Sequence, residues 1–422
     1  MAKLIRLDDG LRIFYKKHTS SKAFALGVFV GAGCVYEDKK NNGIAHFIEH
    51  MLFKGTERRT AFDIANEADT CGIMMNAFTS RQYTAYYTIG LAEYADKCAD
   101  LLSDILFNST FTEENMEKEK SVVIEEIKMY EDDSEDVCLE NLIKAHYGNK
   151  MLAYPILGTE KTVKSFDREK IDDFMGKFYR RENVCIAVVG NVKEDFVIDL
   201  IKRYFVFSSS QNRNEKEFRL PKLKALAPQS GDIKKIKPIE QSAVGIAFPS
   251  YPYRHKKRFV PSFLASILGG GMSSRLFQEV REKAGLVYEI YATNNQYVND
   301  GYFVIYFGTS PNQVCTALKK VKSCLAEAIE SGLTQEEFDK AMAQLKTGMA
   351  LGSESAADIM RMGGRYGLMG KAVTHESTLK ELEKVTLDDV NEGLKELLKF
   401  DKASVSYVGQ EIDCDLFAIL RD

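Results

Sequence analysis

The chain has 422 residues, 45% of them hydrophobic and 28% charged, with a formal charge of −4. That length exceeds one ordinary core and predicts two or more domains. The small net charge, with no basic cluster interleaved with aromatics, excludes a nucleic-acid binder, and no apolar run nears the ~18 residues of a membrane helix.

The first residues carry no apolar signal core, so a cytoplasmic, membrane-free protein is expected. The eight cysteines are scattered without a C-x-x-C pair and read as reduced, mostly buried thiols rather than metal ligands.

Residues 3–16 alternate as a hairpin around Asp8-Asp9-Gly10, and Ala23–Val30 reads as a buried strand. Asn41-Asn42-Gly43 breaks the chain before a short helix that stops at Lys54-Gly55-Thr56. Ala61 to Thr70 is helical in spacing, and Met74–Ile89 reads as two strands around Thr79-Ser80-Arg81-Gln82. Asn76, Ala77, Phe78 and Thr79 are placed as a possible sheet edge, where exposed backbone groups can pair with an extended peptide. Leu91–Ile105 is predicted as an amphipathic helix, and Thr112-Glu113-Glu114-Asn115 opens a long helix to about Tyr130. Residues 165–179 predict a helix, Val184–Val189 a strand, and Glu194–Tyr204 a helix.

The helix after Gly43 carries His46-Phe47-Ile48-Glu49-His50. On a helix, residues three and four apart return to nearly one face, so two imidazoles and a carboxylate converge. Two neutral imidazoles at that spacing suit zinc, and the carboxylate of Glu49 can take a proton from a metal-activated water. On the long acidic helix, Glu119, Val122, Val123 and Glu126 fall on one face. Carboxylates set in an apolar stripe need partners, and a cation is the obvious one where the face is not simply solvated. Glu126 is therefore a candidate third ligand and Glu119 a carboxylate orienting a ligand histidine; Glu125 lies about 100° away around the helix.

A polar stretch near the midpoint divides the chain into a zinc-bearing α+β domain (1–210), a linker (211–237) and a second α+β domain (238–422). The pattern repeats across it. Phe24–Phe29 resembles Ala243–Phe248 at an offset of 218 residues, and Val188-Val189-Gly190 matches Tyr407-Val408-Gly409 at 219. The same offset sets Leu264, Ile267 and Leu268 opposite His46, Glu49 and His50, so the second copy cannot hold the ion. It carries Arg281 and Tyr288 instead, a pair suited to holding a carbonyl oxygen or a peptide carboxylate.

The segment His46–His50 with Met51-Leu52-Phe53-Lys54-Gly55-Thr56, and Glu126 lying 76 residues after His50, resembles the pitrilysin-type inverzincin metallopeptidases, which include insulysin and the mitochondrial processing peptidase. Asn76-Ala77-Phe78-Thr79 and Arg281 with Tyr288 are similar to that family's substrate-strand and Arg/Tyr motifs. The likeness covers essentially the whole chain and is strongest to the short, two-domain bacterial branch.

The resemblance implies one zinc ion per chain on His46, His50 and Glu126, Glu49 as general base, Glu119 in support, and Arg281 and Tyr288 delivered by the metal-free copy. It implies two related α+β domains, each a mostly antiparallel sheet flanked by helices, as half of a clamshell chamber for peptides or unfolded protein segments. With both residue sets in one chain, a self-sufficient homodimer is expected over a heterodimer with a related chain. The competing expectation on the same scaffold is a non-catalytic or partner-dependent subunit.

Overall fold

A computed structural model describes residues 2–207, 223 and 225–421. These residues form two sheets and two compact units.

The first unit comprises residues 1–127, 154–222 and 349–378. Its strands are β1 (Ala2–Arg6), β2 (Arg12–Lys17), β3 (Ala23–Val30), β4 (Met74–Thr79), β5 (Thr84–Leu91) and β6 (Val184–Gly190), in the spatial order β1-β2-β6-β3-β5-β4. All neighbouring pairs are antiparallel except β2 with β6. The hairpin turn at Asp8-Asp9-Gly10 falls where expected, with Gly10 at φ 90°. β3 is central and buried along nearly its whole length, as a strand covered on both faces must be.

One face of this sheet is covered by α1 (Ile44–Met51), α2 (Ala61–Thr70), α3 (Ala95–Phe107) and the helices Arg168–Phe178 and Glu194–Tyr204, around a core that includes Phe47, Ile48, Tyr86, Leu102 and Ile186. The helix Ala356–Leu368 covers the other face, against Phe14, Phe29 and Cys185. It lies flush on the sheet because glycine faces the aromatic rings: a Cβ on Gly364 would come within 2.1 Å of Phe29.

The second unit comprises residues 128–153, 223–348 and 379–422. Its strands β7 (Asp232–Ile236), β8 (Ser242–Pro249), β9 (Glu289–Gln296), β10 (Gly301–Thr309) and β11 (Ser404–Gly409) run in the order β7-β11-β8-β10-β9. Five strands of the first sheet, β2-β6-β3-β5-β4, have the same order and the same single parallel pair, so the internal duplication holds at the level of topology.

The units are not the contiguous spans 1–210 and 238–422. The helix α5 (Ser134–Tyr147) packs on β8 and β11 of the second unit, while Ala356–Leu368 packs on β3 and β6 of the first. These helices occupy corresponding places in the repeat, and each covers the other copy's sheet. The expected linker also ends early, because Asp232–Ile236 pairs in parallel with β11. Its polar residues suit an edge strand with one solvated face. Residues 211–222 and 224 of that linker lie outside the described residues.

Smaller differences have local causes. The helix expected from Leu91 begins at Ala95, because β5 runs on to Leu91. The helix expected from residue 165 begins at Arg168, after Asp167 accepts a hydrogen bond from Lys170 N as an N-cap. The cysteines are not all reduced: Cys315 and Cys414 form a disulfide with Cα atoms 6.3 Å apart, a pair whose sequence separation of 99 hides it from any spacing rule. The other six are free, and five of them are buried. Among the described residues, no helix is long and apolar enough to cross a membrane.

Candidate metal centre

The site is built by α1 and by the portion of α4 (Glu113–Asp132) up to Ile127, both in the first unit. α1 is held by its apolar face. Phe47, Ile48 and Met51 are at most 1% exposed, so the polar positions His46, Glu49 and His50 are fixed by the packing behind them.

Its N-terminus has an unusual cap. Gly43 adopts φ 92° and offers no side chain, and a Cβ there would meet Leu157 O at 2.5 Å. The buried carboxylate of Glu37 caps from a distance: it accepts from Gly43 N at 2.7 Å, Ala45 N at 3.0 Å and Asn42 Nδ2 at 2.9 Å. Burial pushes its pKa up to about 7, against the pull of those three hydrogen bonds. Sequence reasoning missed Glu37 because its loop carries no periodic pattern.

The side chains of His46, His50 and Glu126 converge, each offering a ligand atom within 4.8 Å of the others. His46 Nε2 and His50 Nε2 lie 3.7 and 3.4 Å from Glu126 Oε2. A tetrahedral zinc with ligands at about 2.0–2.1 Å would separate its donors by about 3.4 Å, so little adjustment is needed. Glu126 Oε2 and His46 Nδ1 are both buried without a hydrogen-bond partner, the kind of deficit that a cation removes for the carboxylate.

The electrostatics suit two different imidazoles. Burial, reinforced by the neighbouring His50, lowers His46 to about 4 and keeps it neutral. For His50 burial acts in the same direction, but the Glu119 hydrogen bond and the facing Glu126 carboxylate outweigh it and raise the pKa to about 9. Glu119 is 3% exposed; its Oε1 lies 2.8 Å from His50 Nδ1 and its Oε2 2.7 Å from Lys54 Nζ. With Nδ1 engaged there, Nε2 of His50 is the nitrogen turned toward Glu126.

Two expectations for α4 are settled by burial. Glu125 is exposed while Glu126 turns inward. Val122, expected on the inward face, is 49% exposed; the buried stripe instead runs Met116, Glu119, Val123 and Ile124.

Glu49 is mostly buried, and burial raises its pKa, opposed by a hydrogen bond from Thr79. Thr79 Oγ1 donates to Glu49 Oε2 at 2.5 Å. Thr79 ends β4, which is an edge strand as anticipated. Along β4, Met75 and Ala77 face the α1 side, whereas Phe78 packs with the core on the opposite side. Asn76 Oδ1 accepts from Ala77 N at 2.7 Å, shielding one backbone donor of this edge. An open groove of about 590 Å³ lies at the start of the strand, lined by residues that include Phe53, Ile64, Ala68, Met75, Asn76 and Arg361.

Residues 12–160 match the family model "Insulinase (Peptidase family M16)", and residues 165–345 match "Peptidase M16 inactive domain". The chain is 37% identical over 407 residues to a Bacillus subtilis protein named "Uncharacterized zinc protease YmxG", covering 96% of this chain and 97% of that one.

The chain belongs to peptidase family M16.

A Rickettsia felis relative, also named a zinc protease, is 34% identical over 388 residues, covering 91% of this chain and 92% of that one. Two solved structures share the fold. One is titled a peptidase M16 inactive domain from Pseudomonas fluorescens (TM-score 0.89, 22% identity, covering 98% of this chain and 99% of that one). The other is a protease from Helicobacter pylori (TM-score 0.89, 21% identity, covering 97% and 99%). The chain is thus a short, two-domain M16 member.

Leu264, Ile267 and Leu268, which the 218-residue offset sets opposite His46, Glu49 and His50, lie on the helix Val260–Gly269 and are at most 5% exposed, which makes that helix a core element. Arg281 and Tyr288 lie in the second unit. The Arg281 guanidinium stacks 4.6 Å from the Phe277 ring centroid, in a π-helical turn at Phe277–Glu282. Tyr288 is 44% exposed and crosses the face of Gly308, where a Cβ would meet its hydroxyl at 2.3 Å.

Proposed function

We propose that the chain is a zinc-dependent endopeptidase acting on peptides and unfolded protein segments, with His46, His50 and Glu126 as the metal ligands and Glu49 as the general base. The observation that carries this reading is the convergence of two imidazoles on a buried carboxylate oxygen that makes no hydrogen bond, with Glu49 projecting from the same helix as both histidines.

When bound, the ion would supply a Lewis acid that polarises a carbonyl and acidifies water. An extended peptide would add as a strand beside Asn76–Thr79 once the Asn76 side chain releases Ala77 N, which fixes the substrate backbone before reaction. Glu49 takes the proton of the attacking water and returns it to the departing amine. Its environment favours the uptake, since burial raises its proton affinity. Glu119 holds His50 through Nδ1. Arg281 and Tyr288, from the same chain or a neighbouring copy, would steady the oxyanion or the peptide end. Two chains closing as a homodimer would form the chamber.

The test is cleavage of a quenched fluorescent, unstructured peptide by the purified chain alone. Turnover that a chelator abolishes and zinc restores supports the reading. Cleavage that requires a second protein would make this chain a partner-dependent subunit.

A further inference from the structure

Glu49 is attached through three rotatable bonds near the end of α1, and helix geometry alone does not fix where its carboxylate points. The hydroxyl it meets is fixed far better. Thr79 is β-branched, which restricts its side-chain torsion, and it closes the β4–β5 hairpin opposite Thr84. The turn is tied beyond it by Ser80 N donating to Tyr83 O at 2.9 Å and Ser80 Oγ donating to the same oxygen at 2.8 Å. A well-placed hydroxyl thus donates its one proton to Oε2 of Glu49, leaving Oε1 as the oxygen free to accept from water.

We infer that Thr79 is a positioning residue for the general base: its hydroxyl, delivered by the end of the edge strand, sets the direction of the Glu49 carboxylate. This rests on the peptidase reading above and adds to it a role for Thr79 separate from pairing with a peptide backbone. Because one residue both ends the edge strand and holds the base, a peptide seated along β4 is registered against the base itself.

The experiment compares Thr79→Val, which keeps the branched shape and removes the hydroxyl, with Thr79→Ser, which restores the hydroxyl. Thr79→Val is expected to lower kcat by about 10- to 100-fold, the scale of a misdirected proton-transfer group, with KM and zinc content unchanged. Thr79→Ser is expected to recover most of that loss. A crystal structure of zinc-free Thr79→Val should show the Glu49 carboxylate displaced from its wild-type position, and one of Thr79→Ser should show it restored. Wild-type kcat in Thr79→Val, equal impairment of both variants, or an unmoved carboxylate in Thr79→Val would each overturn the inference. A wild-type chain that cleaves no peptide would instead end the peptidase reading, and the crystallographic comparison would still decide whether Thr79 directs Glu49.

Discussion

His50 Nδ1 and Glu119 Oε1 meet at 2.8 Å inside a site where Glu119 is 3% exposed. A buried carboxylate behind a histidine fixes the ring and makes its other nitrogen a better donor. Glu119→Gln should therefore weaken zinc binding by about 10- to 100-fold without unfolding the chain. Competition against a chromophoric chelator measures this, and unchanged affinity would remove Glu119 from the site. The His50 hydrogen bond, joined by Lys54 2.7 Å from the other oxygen, holds this carboxylate below its usual range in spite of burial.

Glu37 predicts a pH-dependent stability. Its folded pKa of about 7 exceeds the ordinary value of 4.5, so between those limits the unfolded chain gives up this proton while the folded chain retains it. Stability contributed by this group is therefore present below pH 4.5, lost as pH rises toward 7, and level above; the whole loss is roughly 3 kcal/mol. Comparing urea unfolding of zinc-free wild type with Glu37→Gln cancels the other carboxylates. The wild type should lose ground to the variant steadily across that window. A difference constant with pH would contradict the assignment.

The Cys315–Cys414 bond closes a long loop in the second unit. Removing it by Cys414→Ser should cost about 2–4 kcal/mol, as for other disulfides closing long loops. Alkylation of the unfolded, unreduced chain followed by mass spectrometry should label six cysteines of eight. Eight labels would return the pair to the reduced state first expected of a cytoplasmic chain.

The crossed placement of the two corresponding helices can be tested through Gly364. A Cβ there would lie 2.1 Å from Phe29, so Gly364→Val should cost at least about 2 kcal/mol through overpacking. Gly348, with nothing within 4 Å of an added Cβ, is the control; Gly348→Ala should be neutral or stabilise by up to about 1 kcal/mol. Equal stabilities in denaturant titrations would mean that Ala356–Leu368 does not pack on β3.

Legibility in the sequence followed the strength of the local signal. α2 and β3 sit at their expected bounds because a Thr60 capping box and an unbroken apolar run mark them. α1 is marked by its His46–His50 motif and its flanking breaks, and Glu126 by its helical spacing from Glu119 together with the family resemblance; that β4 lies at an edge is a matter of sheet order, which spacing does not carry. Which sheet a helix covers is a long-range matter: α5 and Ala356–Leu368 pack on strands distant in sequence, and nothing in their own patterns distinguishes one sheet from the other. Glu37, and the contact of Thr79 with Glu49, escaped for a related reason. Each acts through a hydrogen bond to α1 from another segment, eight residues from Ala45 in one case and thirty from Glu49 in the other. Val122 shows the limit of face-counting: its apolar character suggested the inner face, but Ile124 takes that place.

The most direct test of zinc hydrolysis is a zinc titration of the metal-stripped Glu49→Gln variant beside wild type, following bound metal and peptide cleavage together. The account predicts that both take up one ion per chain, that wild-type cleavage rises with occupancy, and that the variant stays about 10²- to 10⁴-fold slower at full occupancy. Comparable cleavage by the zinc-loaded variant, or wild-type cleavage that persists with no ion bound, would contradict it.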